Sequence, residues 1–241
     1  LNLWIMDNLR TEILDALGSP VVTGDVAYAD STEAQRDTWV GAQRQSATNT
    51  RVLFGAVESN YTTDDHSASL ANVDSTTDTL DFDMLQLGKR LYRKADRHMR
   101  PLKVKGGREF LVMFTESYGY RDLKVDTETI HQNAGLRGKM NQLFQDVDLE
   151  LDGVMVKEVP EIAPITGVGA SSIDVGRSYL CGAQAVGLAL AQKAKFVVDD
   201  EIDYENQSGV AVGEIRKANK LTFNNLDNGM VTIAHSAVAD S

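Results

Sequence analysis

Apolar residues recur at helical spacing in four parts of the chain and alternate with polar ones in several others. Ile5, Leu9 and Ile13 repeat every four residues with Trp4, Leu14 and Leu17 beside them, and Gly18, Ser19 and Pro20 stop the run, which predicts an amphipathic helix. Leu80, Met84, Leu87, Leu91, Ala95 and Met99 predict a long second helix that Asp78 can cap and Pro101 ends. Ile130, Leu136, Met140, Leu143 and Phe144 predict a helix over 126–144, and the small residues from Ser178 to Gln192 predict another. Short apolar runs at 51–57 and 109–115 read as strands. Val147, Leu149 and Leu151 alternate with acids before Asp152-Gly153, and Val154 and Val156 resume the alternation, the pattern of a tight hairpin. Strands follow at 196–198, 209–215, 220–223 and 229–234. Between Ser59 and Thr79, 15 of 21 residues are Ser, Thr, Asp or Asn, so this stretch is expected as an exposed loop. Helices and strands intersperse without regular alternation, and no internal repeat is visible, so the predicted class is α+β.

Composition narrows the function classes. The 241 residues suffice for one large domain or two small ones, and 42% hydrophobic with 24% charged residues excludes collagen-like and wholly disordered chains. Thirty-five acids against 24 bases give a net charge of -11, which argues against a dedicated nucleic-acid or membrane-surface binder unless the bases are gathered locally. They are gathered in one place. Lys89, Arg90, Arg93, Lys94, Arg97, Arg100, Lys103 and Lys105 face the single acid Asp96 within one window, a third of all the bases. That patch reads as a solvated face favoured by the helix C-terminal dipole, as a contact for an acidic patch on another copy, or as a phosphate-binding surface. One cysteine, Cys181, excludes an intrachain disulfide and points to a reducing compartment, and its apolar surroundings predict a buried, inert thiol. No apolar stretch approaches the roughly 20 residues of a membrane helix, and no signal-peptide pattern is present. The chain opens at Leu1 directly inside a helical pattern, so its start reads as truncated.

Candidate chemistry is sparse. Asp148, Glu150, Asp152 and Gly153 match the opening of a calcium loop, but its twelfth position is Val159 rather than glutamate, and the alternation reads equally as the solvated face of the hairpin. Gly167-Val168-Gly169 begins a dinucleotide fingerprint without its third glycine, against the alternative of a flexible connector. Asp199, Asp200, Glu201, Asp203 and Glu205 could gather a hard cation, form a solvated turn, or supply the acidic half of a contact between subunits. His66, His98, His131 and His235 show no ligand spacing, and no G-x-S-x-G elbow exists. No enzyme, cofactor or metal site is expected.

One resemblance is specific. Tyr179-Leu180-Cys181-Gly182-Ala183-Gln184-Ala185 resembles the Leu-x-Gly-Ala-Gln-Ala segment of major capsid proteins of tailed bacteriophages, and the likeness continues through 203–213, 220–224 and 227–231. Arg100 to Val104 and Tyr118 to Asp122 look like the same family. The resemblance implies a Hong Kong 97-type fold with a peripheral domain, containing a spine helix and long strands, and an axial domain of a sheet flanked by helices. By that likeness residues 1–50 hold the end of the spine helix and a peripheral segment, 51–195 the axial domain and 196–241 the returning peripheral strands. The family's N-terminal arm and extended loop would lie before Leu1. The implied function is a coat subunit that self-assembles into an icosahedral shell in the virion, made in the host bacterial cytoplasm. Implied partners are copies of itself in hexamers and pentamers, a portal, cement or scaffolding proteins, and packaged double-stranded DNA through weak non-specific contact, with no membrane. The subunit-contact candidates are Lys89, Arg90, Arg93, Lys94, Arg97, Arg100, Asp199, Asp200, Glu201, Asp203 and Glu205. The other reading is a nucleic-acid-binding module built on Lys89 to Lys105.

Overall fold

The computed structural model describes residues 2–18, 30–37, 51–62, 65–95, 99–103, 107–133, 149–202, 207–223 and 226–240. Its helices are α1 (Asn2–Gly18), α2 (Glu33–Asp37), α3 (His66–Ala71), α4 (Phe82–Lys94) and α5 (Ser117–Asn133). Its strands are β1 (Val52–Phe54), β2 (Leu102–Lys103), β3 (Glu109–Thr115), β4 (Leu149–Leu151), β5 (Val154–Glu158), β6 (Val175–Cys181), β7 (Val186–Ile202), β8 (Gln207–Lys220), β9 (Thr222–Phe223), β10 (Leu226–Asp227) and β11 (Met230–Ser236).

Six strands form a mixed sheet in the order β1-β11-β6-β3-β5-β4, with β2 added beside β3. β1 runs parallel to β11 and β3 parallel to β5, while β11, β6 and β3 pair antiparallel, which is the α+β class expected. β6 and β11 are buried along their whole length, so they form the centre of the molecule. One face packs Leu180, Val231, Ile233 and Met113 under Met84, Leu85 and Tyr92 of α4. α4 passes so close to β11 that a Cβ on Gly88 would stand 2.8 Å from Ile233 Cδ1. The other face carries Tyr179, Cys181 and Met230 against Leu17 of α1 and Val159. The predicted hairpin is β4–β5. Its turn places Asp152 and Gly153 both at positive φ (47° and 74°), the conformation that suits an Asp-Gly pair.

Several sequence expectations differ. The predicted helix from Ser178 to Gln192 is instead the end of β6 and the start of β7, because ladder pairing with β11, β3 and β8 overrides the helical leaning of small residues. The polar stretch 59–79 is not simply an exposed loop. It contains α3, capped by Asp65 accepting from Ala68 N at 2.8 Å, with His66, Ser67, Ser69 and Leu70 buried. Asp81, not Asp78, caps α4, accepting from Met84 N at 2.7 Å, and α4 ends at Lys94, with Ala95 as its C-cap, rather than near Pro101. Asp78 is buried and holds the preceding turn, accepting from Ala56 N, Asn60 Nδ2 and Asp74 N. The helix expected over 126–144 starts nine residues earlier, at Ser117, where Glu116 accepts from Tyr118 and Gly119 N; 134–148 lie outside the described residues. The Gly167–Ser172 connector is a bonded 3₁₀ turn, with Ala170 N donating to Val73 O.

Candidate functional site

β7 and β8 form a two-stranded ribbon that leaves the sheet at Ala185 and pairs from Val186↔Lys220 out to Ile202↔Gln207. On β8, residues 212, 214, 216 and 218 are half-buried while 213, 215, 217 and 219 are exposed, so the even-numbered side faces α1. Arg216 makes that junction. Its guanidinium donates to Glu12 Oε2 (3.1 Å) and Ile5 O (3.2 Å) of α1 and to Glu214 Oε2 (2.5 Å), and only 8% of the side chain is exposed.

Paired residues share a face. Leu188 lies opposite Ala218, Leu190 opposite Arg216, Phe196 opposite Val212 and Val198 opposite Val210, which puts an apolar stripe on the α1 side. α1 covers only its root. Leu188, Leu190, Phe196, Val198 and Val210 remain about half exposed or more, as do Leu3, Trp4 and Met6 in the first turns of α1. A lone two-stranded ribbon is marginal in water, so a stripe of this kind is built to be covered.

The basic cluster was expected on a helix, and α4 carries half of it. Lys89 is engaged with the hairpin turn, donating to Asp152 Oδ2 at 2.6 Å, and Lys103 pairs with Glu109 at 3.0 Å. Arg90, Arg93, Lys94 and Arg100 are exposed and make no ion pair among the described residues. Arg97 and Lys105 lie outside the described residues. Of the acidic candidates, Asp199, Asp200 and Glu201 belong to the outer part of β7, and Asp203 and Glu205 lie outside the described residues. The two sets therefore sit on different elements: the bases beside the sheet and the acids at the far end of the ribbon.

Beside the bases, two cavities of about 150 and 230 Å³ flank the Asp152-Gly153 turn. Both touch Glu109, Phe110 and Gly153; Tyr92, Arg93 and Met99 line the first, and Arg108 and Met155 the second.

Inside the sheet, Ser178 Oγ lies 2.9 Å from His235 Nε2, and His235 Nδ1 lies 3.9 Å from Glu116 Oε1. The types match a nucleophile, base and orienter, but all three are sealed from solvent, and Nδ1 is closer to the Ser236 carbonyl at 3.1 Å. No substrate can reach this group, which serves as a buried polar tie. Cys181 is likewise buried, and burial pushes its thiol up to about 12, in keeping with the inert thiol expected. Sequence reasoning did not reach Arg216 or the ribbon stripe, although Phe196/Val198 and Val210/Val212 carry a visible period of two.

A family model described as phage capsid protein matches residues 29–239. A capsid chain of cyanophage Pam1 superposes with a TM-score of 0.81 at 32% identity, covering 98% of this chain and 67% of its own. The capsid of Ralstonia phage GP4 superposes with a TM-score of 0.68 at 18% identity, covering 98% of this chain and 66% of its own. The chain thus spans about two thirds of the length of these solved chains. No curated protein matches it.

Proposed function

This chain belongs to the phage capsid protein family, and from that premise we propose how its parts build a shell. It is a structural subunit that acts in many copies, and the reading rests on a family match over 29–239 joined to a capsid fold over nearly its whole length. The mechanism is assembly in place of turnover. Each copy presents surfaces whose single contacts are weak and whose sum over a closed shell is large.

The seven-stranded sheet with α4 and α5 acts as the axial domain of a Hong Kong 97-type subunit, and α1 with the β7–β8 ribbon acts as the peripheral domain. This division follows the packing of α1 on β8 and assigns β11 to the axial sheet, with the boundary near Ala185 in place of one at 195. The subunits form hexamers and pentamers, meet a portal, and accept cement or scaffolding proteins, after synthesis in the host cytoplasm. The net charge of -11 keeps contact with packaged DNA weak.

Negative-stain microscopy of the expressed protein tests this reading. Closed particles or curved sheets are expected. A uniformly monomeric species at every concentration and salt level, with no assembly beside its virion partners either, overturns it.

A further inference from the structure

Arg90, Arg93 and Lys94 stand at i, i+3 and i+4 on α4, so they share one exposed face of its last turns. Tyr92 Oη donates to Arg100 O at 2.7 Å, which brings the exposed Arg100 to the same end of the helix. None of the four makes an ion pair among the described residues. The acids beside them are engaged elsewhere: Asp152 with Lys89, Glu109 with Lys103 and Glu150 with Arg108. Asp81 and Asp83, at the start of α4, lie seven residues or more before Arg90, about 10 Å or more along the axis and beyond the screening length of about 8 Å at physiological salt. Asp96 and Arg97, outside the described residues, bring opposite charges that cancel. Positive charge is therefore concentrated at this end of α4 on a chain whose net charge is -11.

This patch carries charge without an apolar surface to accompany it. Among the described residues between Val57 and Val125 no large apolar side chain is exposed, so a protein partner would find little to bury there, and exposed pairs with its carboxylates would each add little. A phosphodiester backbone binds differently. A duplex carries one charge per roughly 1.7 Å of axis and a condensed layer of counterions, whose release drives binding to clustered bases with no apolar contact. Three of the four bases are arginines, whose planar fork fits phosphate oxygens. We propose that the basic end of α4, with Arg90, Arg93, Lys94 and Arg100, is a contact site for the phosphate backbone of a nucleic-acid duplex.

The proposal rests on the shell-subunit reading for its strength. A single site of four bases is weak on so acidic a chain, and copies held in one lattice add their sites along one strand.

Titration of a labelled DNA duplex with the unassembled subunit tests it. Affinity is expected to fall about a hundredfold between about 50 and 200 mM salt, the dependence of about four phosphate contacts. R93Q/K94Q is expected to reduce that fall to about tenfold, whereas K195Q/K217Q, which removes the same charge from the exposed face of the ribbon, leaves it unchanged. Equal reduction in both variants, or no binding by the wild-type protein at the lower salt, overturns the site. Polyglutamate is expected to bind at least about tenfold more weakly than the duplex, because release of condensed counterions favours the denser polyanion; equal binding marks the patch as a contact for an acidic protein and overturns the assignment to phosphate. A lysine-acetylation footprint of the wild-type protein covers the case in which R93Q/K94Q misfolds. Bound DNA is expected to protect Lys94 and to leave Lys195 reactive, and equal reactivity of the two overturns the site. Because the titration needs no assembly, its failure leaves the shell reading standing.

Discussion

Lys220 Nζ lies 2.9 Å from Asp227 Oδ2, and neither side chain reaches solvent, with 2% and 0% of their surfaces exposed. The pair joins the last residue of β8 to β10 and so fixes the root of the ribbon where it rejoins the sheet. Removing Asp227 takes away the counter-charge 2.9 Å from the buried ammonium. Asp227→Asn is expected to lower unfolding free energy by about 3–5 kcal/mol, whereas replacing both residues together, Lys220→Met with Asp227→Leu, recovers most of that loss. Urea denaturation of the three proteins checks the pattern, and equal losses in single and double variants would contradict it.

Arg216 holds α1 to the ribbon through Glu12 Oε2 and Ile5 O of α1, while Glu214 of its own strand orients the guanidinium. Arg216→Met keeps much of the apolar stem and removes the fork; Arg216→Lys keeps the charge and loses the geometry. Both are expected to free α1 locally, with amide exchange over residues 2–12 faster by about tenfold or more for a loss of roughly 1.5–3 kcal/mol. Exchange in β6 and β11 is expected to stay unchanged.

Burial pushes the His235 imidazole below the ordinary histidine range, against the opposing pull of Glu116 and Asp122. A depressed folded value means that the unfolded chain takes up a proton first as pH falls. Stability is therefore full above about pH 6.5 and declines below it, by up to about 1.4 kcal/mol per pH unit until the folded value is reached. His235→Gln is expected to be less stable at pH 7.5 yet flatter between pH 6.5 and 5. Thermal unfolding across that window checks it, and parallel slopes for the two proteins would rule out His235 as the source.

Gly182 has no room for a methyl group. A Cβ there would meet Tyr92 Oη at 1.9 Å and Arg100 O at 2.6 Å, the two groups that bond each other at 2.7 Å. Gly182→Ala is expected to cost about 1–3 kcal/mol by overpacking and by breaking that bond. Tyr92→Phe, which loses the bond and keeps the ring, is expected to cost only about 1 kcal/mol. Denaturant midpoints of the two variants separate the contributions.

What the residue order revealed tracked how local each determinant is. The β4–β5 hairpin was legible because Asp152-Gly153 carries its own turn preference, and α1 because Ile5, Leu9 and Ile13 repeat within one element. α3 was obscured by serines and threonines that usually mark loops, yet Asp65 three residues before Ala68 was a capping signal in plain view. Ser178 to Gln192 misled because alanines and glycines lean helical or neutral in isolation, while here the ladders to β11 and β8 decide. The Ser178–His235 contact joins residues 57 apart and exists only through the β6–β11 register, which local periodicity does not encode. The surface candidates were legible as charge, but their placement on different elements, four bases on α4 and three acids in the outer part of β7, was not.

β11 fills the gap between β1 and β6, so residues 52–54 and 175–181 are bridged only by residues 230–236, which follow both in the chain. A nascent chain emerging from the ribosome thus holds an unfinished sheet, with two strands waiting for a third, until translation has passed Ser236. A product that ends before Met230 lacks the strand that joins β1 to β6 and leaves the edges of both unpaired.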